Sequence, residues 1–351
     1  MRKKSIFIVL GIMTALAVLV ISVQIVLRIR LESYSNTPIN SLTVSPYSRF
    51  FAIDHSGTCY AGSADFPGGL GTKHGKLLEF CYRWMLYEGM VKIFDDVAYV
   101  EDHSLITKAG DLYVFGSSGF ETPKLIRNNV SCSFSLVNNV YFVDRNGSLF
   151  SFDFSTKKIQ EYPFNNVASL NGVQINEKNY LFLLGTNGVL SVYEEGENGF
   201  GTPIKQYKDV GHFDVSKSVE DLSDTKEAYL LGMIKTDGTV WIDGVLSQNG
   251  TPNSQNTDVE MRQIDGYGKK IACYAHGILY LDDKSRVHVY GYDIVGFGDE
   301  LLQMVLLENV KDISSGFYSA GVVDADGSMW MWGDSFRSAH RSFDQKPCRV
   351  K

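Results

Sequence analysis

The chain has 351 residues, of which 44% are hydrophobic and 21% charged, so it is long enough and apolar enough to bury a substantial core. Residues 31–351 carry 28 basic against 40 acidic residues, a net charge of −12. Because so acidic a body repels a phosphate backbone, its charge argues against nucleic acid as a partner.

The first predicted element is an uncharged apolar segment at residues 5–27. A helix of this length covers roughly 30 Å, the thickness of a bilayer core. We interpret it as a retained signal-anchor helix that crosses a cell membrane once, after a short cytoplasmic tail at residues 1–4. A cleaved signal peptide is the alternative, but its apolar region would be shorter and small residues would follow it.

Basic residues flank this segment on both sides, and they are Arg2, Lys3, Lys4, Arg28 and Arg30. More of them precede the segment than follow it, which predicts a cytoplasmic N-terminus. The large C-terminal domain then lies outside the cytoplasm, joined to the membrane by a linker at residues 28–40.

The next predicted elements are β-hairpins that recur along the rest of the chain. Their turns are Ser56-Gly57, Ala109-Gly110, Asn146-Gly147, Asn187-Gly188, Asp237-Gly238, Lys284-Ser285 and Asp326-Gly327. Asn-Gly and Asp-Gly pairs favour two-residue hairpins in which both central residues have positive φ. The turns repeat at intervals of roughly 40–50 residues, and periods of this size are typical of propellers and solenoids.

The strand after each turn is apolar on both faces. Leu112 and Leu149 point to one side, whereas Tyr113 and Phe150 point to the other, since side chains alternate along a strand. A sheet with one solvated face would show polar residues on that face. The pattern therefore predicts small sheets packed between neighbouring sheets, as in the blades of a propeller.

Several segments resemble repeats of the RCC1 family. The similarity is strongest at residues 310–334, 102–116 and 50–71, and it extends over residues 41–351. The resemblance implies an all-β fold, a seven-bladed RCC1-like β-propeller, preceded here by the single transmembrane helix.

Two details of the ring follow from the repeat pattern. Repeats three and four end in Asp153 and Glu194 where other repeats end in glycine, which predicts irregular blades there. The terminal segment at residues 346–350 is expected to pair into the first blade, near residues 40–44, and so to remove the exposed edges of an open sheet.

The candidate partner-binding residues lie in a long insertion after the first blade, and they are Phe80, Tyr82, Trp84 and Tyr87. Aromatic side chains dominate binding hot spots. Apolar side chains also alternate with other residues along this segment, a pattern that fits an ordinary β-strand equally well. The sequence contains no H-E-x-x-H, G-x-S-x-G or Walker motif, so we predict no catalytic, cofactor or metal site.

These features together predict a membrane-tethered extracytoplasmic binding or scaffold module rather than an enzyme. Its loops would recognise a protein or glycan partner from one face of the propeller. The main alternative is a propeller-based carbohydrate-active hydrolase or lyase, which would need carboxylates that converge on one face. A purely structural envelope component is the third interpretation.

Overall fold

The computed structural model describes Thr14 and Val18, together with residues 38–45, 49–63, 90–117, 119–196, 199–217, 229–246, 257–292, 301–316, 319–333 and 348–349. Within these residues, no helix has the length and apolar character needed to cross a bilayer. Apart from Thr14 and Val18, the anchor predicted at residues 5–27 lies outside the described part of the chain, as does nearly all of the linker.

The described residues form seven β-sheets, numbered here in chain order. Sheet 1 contains β1 Ile39–Val44, β2 Arg49–Asp54, β3 Cys59–Ser63 and β4 Val91–Phe94. Sheet 2 contains β5 Val97–Glu101, β6 Ser104–Thr107, β7 Leu112–Val114 and β8 Lys124–Arg127. Sheet 3 contains β9 Val130–Leu136, β10 Asn139–Asp144, β11 Leu149–Asp153 and β12 Ile159–Glu161. Sheet 4 contains β13 Val167–Ile175, β14 Lys178–Gly185, β15 Leu190–Gly196, β16 Gly199–Phe200 and β17 Lys205–Tyr207.

The remaining three sheets complete the fold. Sheet 5 contains β18 Val210–Lys217, β19 Tyr229–Lys235, β20 Thr239–Leu246 and β21 Thr257–Tyr267. Sheet 6 contains β22 Lys270–Tyr274, β23 Gly277–Leu281, β24 Val287–Gly291 and β25 Leu302–Leu307. Sheet 7 contains β26 Val310–Ser315, β27 Ser319–Asp324, β28 Met329–Gly333 and β29 Cys348–Arg349. The pairs between consecutive strands are antiparallel, and each sheet is built from one continuous stretch of sequence.

The sheets pack face to face in a closed ring. Seven clusters of buried apolar side chains lie at the seven seams between neighbouring sheets. The seam between the last and first sheets joins Val323, Met329 and Met331 to Ile39 and Leu42. The second and third strands of each sheet therefore carry apolar residues on both faces, as the sequence pattern predicts for the strand after each turn.

The predicted mode of ring closure is wrong. The terminal strand β29 pairs with β28 of its own sheet, where Arg349 lies opposite Trp330, and does not enter the first sheet. The reason is the strand order of the described sheets, because β1 is the innermost strand of a complete sheet 1 and β29 is the outermost strand of sheet 7. The ring therefore closes through packing and hydrogen bonds between sheets and not through a shared sheet.

The seven turns between the second and third strands of each sheet have one common geometry. Only the second turn residue has positive φ, as at Gly57 (94°), Gly327 (81°) and the single non-glycine, Ser285 (59°). The expectation of positive φ at both turn residues is therefore wrong. The backbone explains the difference, because the second turn residue donates its N–H to the carbonyl three residues earlier, as from Gly57 to Asp54 (3.1 Å) and from Gly238 to Lys235 (2.9 Å). Each turn therefore spans four residues, of which only the last is left-handed. Where an aspartate begins the turn its carboxylate adds support, as Asp54 accepts the amide N–H groups of Ser56 and Thr58.

A backbone hydrogen bond from each of these turns links each sheet to the next. The carbonyl of Gly57 accepts the amide N–H of Val97 (2.8 Å), which begins the innermost strand of sheet 2. The carbonyl of Gly327 accepts the N–H of Ile39 (2.9 Å), so the last sheet is joined to the first in the same way. The other five bonds run from Val130, Val167, Val210, Gly268 and Val310 to Gly110, Gly147, Gly188, Gly238 and Ser285.

The irregularity predicted for repeats three and four is found in one of them. Sheet 4 has a fifth strand, because β15 continues through Glu194 to pair with β16 as well as β17. Sheet 3 keeps four strands, and Asp153 starts a tight turn in which its carboxylate accepts the N–H of Ser155 (2.7 Å).

Candidate functional site

The two faces of the propeller differ because the repeat bonds fix which strand ends share a face. The seven turns between second and third strands lie beside the starts of the innermost strands, and we call this side the turn face. In an antiparallel sheet, the other connections emerge at the opposite end of the strands. That side, the loop face, carries the connections between first and second and between third and fourth strands.

The strand ends that flank the long connections within sheets all lie at the loop face. These connections comprise residues 64–90, 218–228, 247–256, 292–301 and 334–347, each of which joins a first to a second or a third to a fourth strand. The candidate residues Phe80, Tyr82, Trp84 and Tyr87 belong to the first of these connections. They lie outside the described residues, so their candidacy stays a prediction, although Ser63, where their connection begins, is at the loop face.

A central channel runs between the innermost strands β1, β5, β9, β13, β18, β22 and β26, and its volume is about 830 Å³. The inner edges of these strands face the channel, so consecutive residues of most of them line it, such as residues 211–216 of β18. The titratable lining residues include Tyr99 and Glu101 of β5 and His212 and Asp214 of β18. Its volume falls within the range of small-molecule sites.

Two channel carboxyl groups have raised pKa values. Burial raises the pKa of Glu101 to about 8, and the nearby acids Asp102 and Asp214 add to the shift. The Tyr99 hydroxyl donates a hydrogen bond to Glu101 Oε2 (3.0 Å), which opposes the shift in part. Burial raises the pKa of Asp214 to about 6. At neutral pH the Glu101 carboxyl is therefore mostly protonated, whereas the Asp214 carboxyl is largely ionised.

The environment of Asp214 is mainly structural. Its carboxylate accepts the backbone N–H of Cys273 (2.7 Å) and the side-chain amide of Asn171 (2.5 Å). These contacts tie the innermost strands of sheets 4, 5 and 6 together around one side of the channel. The carboxylate thus has hydrogen bonds to both oxygens without any ligand.

The turn-face end of the channel combines a histidine with an ion pair. Lys270 Nζ lies 2.5 Å from Asp312 Oδ1, and Asp312 Oδ2 accepts the N–H of Leu42 (3.0 Å). Burial, with a contribution from the Lys270 charge, lowers the pKa of His212 to about 4. His212 is therefore neutral at physiological pH, and its contribution to the channel is polar rather than cationic.

A hydrogen-bonded group lies near the loop-face end of the channel, at the seam between sheets 1 and 2. Asp102 Oδ1 accepts the Ser45 hydroxyl (2.5 Å) and lies 3.1 Å from Arg49 Nη2. His103 Nε2 lies 3.3 Å from the other carboxylate oxygen, and burial lowers the pKa of His103. The His103 ring packs edge-on against Phe154. The group fixes two neighbouring sheets where the loop face begins.

No cluster of three or more potential metal ligands occurs among the residues that the structure describes. Among the described residues, Cys59, Cys132 and Cys273 carry free thiols. Burial raises the pKa of Cys132 to about 11, so this channel-lining thiol is protonated at neutral pH.

This geometry defines a closed seven-bladed β-propeller with one face of short turns and one of long connections. The more specific fold is RCC1-like. No protein-family model matches the sequence, and no curated protein matches it. The likeness is to solved structures, and at 10–13% identity it concerns the fold alone.

Three of these structures illustrate the likeness. The crystal structure of Prp20p from Saccharomyces cerevisiae has a TM-score of 0.56 and 11% identity, covering 79% of this chain and 80% of that one. A chain in the crystal structure of the mitotic checkpoint complex has a TM-score of 0.52 and 10% identity, covering 84% and 89%. Yeast RCC1 (Prp20) bound to Kap60 aligns with a TM-score of 0.45 and 13% identity, covering 89% and 75%. The seven sheets and the likeness to Prp20p confirm the predicted all-β, seven-bladed RCC1-like propeller, whereas the transmembrane helix predicted before it stays a prediction.

Proposed function

We propose that this protein is a membrane-tethered binding module outside the cytoplasm, which recognises a protein or glycan partner through the connections of its loop face. The observation that carries this proposal is the placement of the long connections. They emerge from one face of a closed, seven-sheet ring, whereas short turns cover the other face. Variable loops on a rigid scaffold are the usual location of recognition residues.

The rigidity of the loop-face rim supports a binding role. Ser45, Arg49 and Asp102 join sheets 1 and 2 directly below the point where the long connection 64–90 begins. A scaffold held in this way loses little conformational entropy when a partner binds, so more of the contact energy appears as affinity. Prp20p, which has the same fold, is described with its binding to Gsp1p and histones.

The tether rests on the sequence. Residues 5–27 are long enough to cross a bilayer and are flanked by bases on both sides, with more bases before the segment than after it. The direct test is protease treatment of intact cells, which should remove the C-terminal domain. Complete protection of that domain would reverse the proposed topology.

The binding role is tested with the full chain in detergent and a partner identified by cross-linking on intact cells. Replacing Phe80 and Trp84 with alanine should weaken that partner's binding at least tenfold, as expected when hot-spot aromatics are truncated. Asp326→Ala is the matched control, because Asp326 is an exposed residue of the turn face. A partner whose affinity falls in the control and not in the loop variant would contradict recognition by the loop face.

One observation favours the carbohydrate-active alternative. At pH 7 the channel holds a protonated carboxyl at Glu101 and a largely ionised one at Asp214, a combination that could supply an acid and a base. Turnover of an oligosaccharide that is abolished by Glu101→Gln, while the protein stays folded, would establish this function. Turnover unchanged by the substitution would exclude the channel as its site.

A further inference from the structure

The chain enters the propeller at the turn face and close to its axis. Ile39, the first residue of β1, donates its N–H to the carbonyl of Gly327 in the last of the seven turns. Pro38 packs on the same turn, since a Cβ placed on Gly327 would lie 2.6 Å from Pro38 Cβ. Strand β1 is an innermost strand that lines the channel. A membrane tether that precedes Pro38 is therefore attached to the propeller at the centre of the turn face.

The linker is too short to let the loop face lie against the bilayer. Residues 28–38 reach about 40 Å when fully extended. To bring the loop face to the bilayer, this segment would have to cross three strand spacings to the rim, about 14 Å, and then follow the strands for about 20 Å. A further 6 Å or so lies within the headgroup region. That path uses the whole reach and leaves no space for the loop-face connections.

The charges of the turn face are compatible with a position near lipid. Basic and acidic side chains alternate around it, and its exposed bases are Lys108, Arg145, Lys208, Lys269 and Lys284. They are interspersed with acids such as Asp96, Asp209, Asp283 and Asp326. Such a mixed surface produces no strong field of one sign, so anionic headgroups do not repel it strongly.

We infer that the turn face lies toward the membrane and the loop face points away from it. This inference rests on the proposed tether and deepens the proposed function, because it identifies the kind of partner. The partner is a protein that approaches from the side opposite the bilayer, either soluble or displayed on a facing surface. A protein embedded in the same membrane would meet the turn face or the rim instead.

The inference is tested by two single substitutions within sheet 3. Asn146→Cys places a thiol on the turn face, and Lys158→Cys places one on the loop face; both positions are exposed, and neither has positive φ. The full-length protein is labelled with a donor dye at one position and reconstituted in liposomes that contain an acceptor lipid. Cys59 and Cys273 are buried and Cys132 lines the channel. The unsubstituted chain, which also carries Cys81 and Cys348, measures the background labelling that is subtracted.

Energy transfer to the lipid should be stronger from position 146 than from position 158, with a height difference of about 20 Å between the two dyes. Equal transfer, or stronger transfer from position 158, would overturn the orientation. Flotation of the liposomes tests the membrane tether independently of the orientation. Protein that fails to float with the lipid would contradict the tether itself, whereas floating protein with reversed transfer contradicts only the orientation.

Discussion

Trp330 donates its indole N–H to Oδ2 of Asp324 at 3.0 Å, and the two residues lie on either side of the last turn of the propeller. The other carboxylate oxygen, Oδ1, accepts the amide N–H groups of Asp326 (3.0 Å) and Ser328 (2.9 Å). One aspartate thus shapes the turn and orients the strand that follows it. Asp282 does the same in sheet 6, where its partner six residues later is His288 (2.9 Å).

Replacing Asp324 with alanine should therefore destabilise the protein by about 2–4 kcal/mol, because three donors lose a charged acceptor. The measurement is the free energy of unfolding in urea, followed by tryptophan fluorescence. Asp326→Ala in the same turn is the control, since that side chain is exposed, and it should change stability by less than about 0.5 kcal/mol. Equal effects of the two substitutions would show that the carboxylate of Asp324 has no special role.

Closure of the ring gives a second prediction. Gly327 has a φ of 81°, and an added Cβ would lie 2.8 Å from the backbone nitrogen of Ile39, which donates to the Gly327 carbonyl. Gly327→Ala should cost about 1–3 kcal/mol from the left-handed conformation alone. The contact with Ile39 should add to this cost.

The matched control is Gly201→Ala, because Gly201 has no atom within 4 Å of an added Cβ and is not among the positive-φ glycines. Differential scanning calorimetry of both variants measures the effect. A melting temperature that falls equally in the two would mean that the bond from Ile39 to Gly327 does not hold the ring together.

The difference between what could and could not be predicted from sequence is physical. The strands after each turn were predictable because glycine at positive φ and alternation of apolar residues are local requirements. The aspartate three residues before Gly57, Gly147 and Gly327 was also visible in the sequence. A ring with a polar hydrogen follows six residues later in two of these copies, and it donates to the aspartate in both, from Tyr60 to Asp54 (3.3 Å) and from Trp330 to Asp324 (3.0 Å). The third copy has Phe150 at that position, which has no donor.

The channel could not be predicted, because an innermost strand has the same apolar alternation as any other. Glu101 and Asp214 are separated by more than a hundred residues and lie in unrelated local sequences. Only closure of the ring brings them to one cavity. The pairing of β29 was predicted wrongly for a related reason. From sequence alone, the last strand could belong to sheet 1 or to sheet 7, and only the position of β1 within sheet 1 decides between them.

The link between sheets 1 and 2 gives a third prediction. Arg49, whose side chain is 13% exposed, lies 3.1 Å from the carboxylate of Asp102, which is 7% exposed. Asp102→Ala removes this acceptor and should destabilise the protein by about 3–5 kcal/mol, as expected when one member of a buried pair is lost. The double variant Arg49→Met and Asp102→Ala should recover part of that loss, because no buried charge is then left without its acceptor. A double variant less stable than Asp102→Ala would contradict this account of the pair.

The last prediction concerns pH. Since burial raises the pKa of Glu101 from 4.5 to about 8, folding favours the protonated carboxyl. Its effect on stability is absent below its ordinary pKa of 4.5 and becomes increasingly unfavourable as the pH rises toward 8. Glu101→Gln imitates the neutral form, so the variant should match the native protein at pH 5 and melt at a higher temperature at pH 8.5.

Thermal melts at pH 5, 7 and 8.5 test this prediction, with Glu161→Gln as the control because Glu161 is exposed on β12. Some pH dependence should remain in Glu101→Gln between pH 4 and 6, where Asp214 loses its proton in the fold. A difference between variant and native protein that stays constant from pH 5 to 8.5 would mean that Glu101 ionises in the channel as readily as in water. The channel would then be more hydrated than its enclosing strands imply, and the protonated carboxyl required by the carbohydrate-active alternative would not exist at neutral pH.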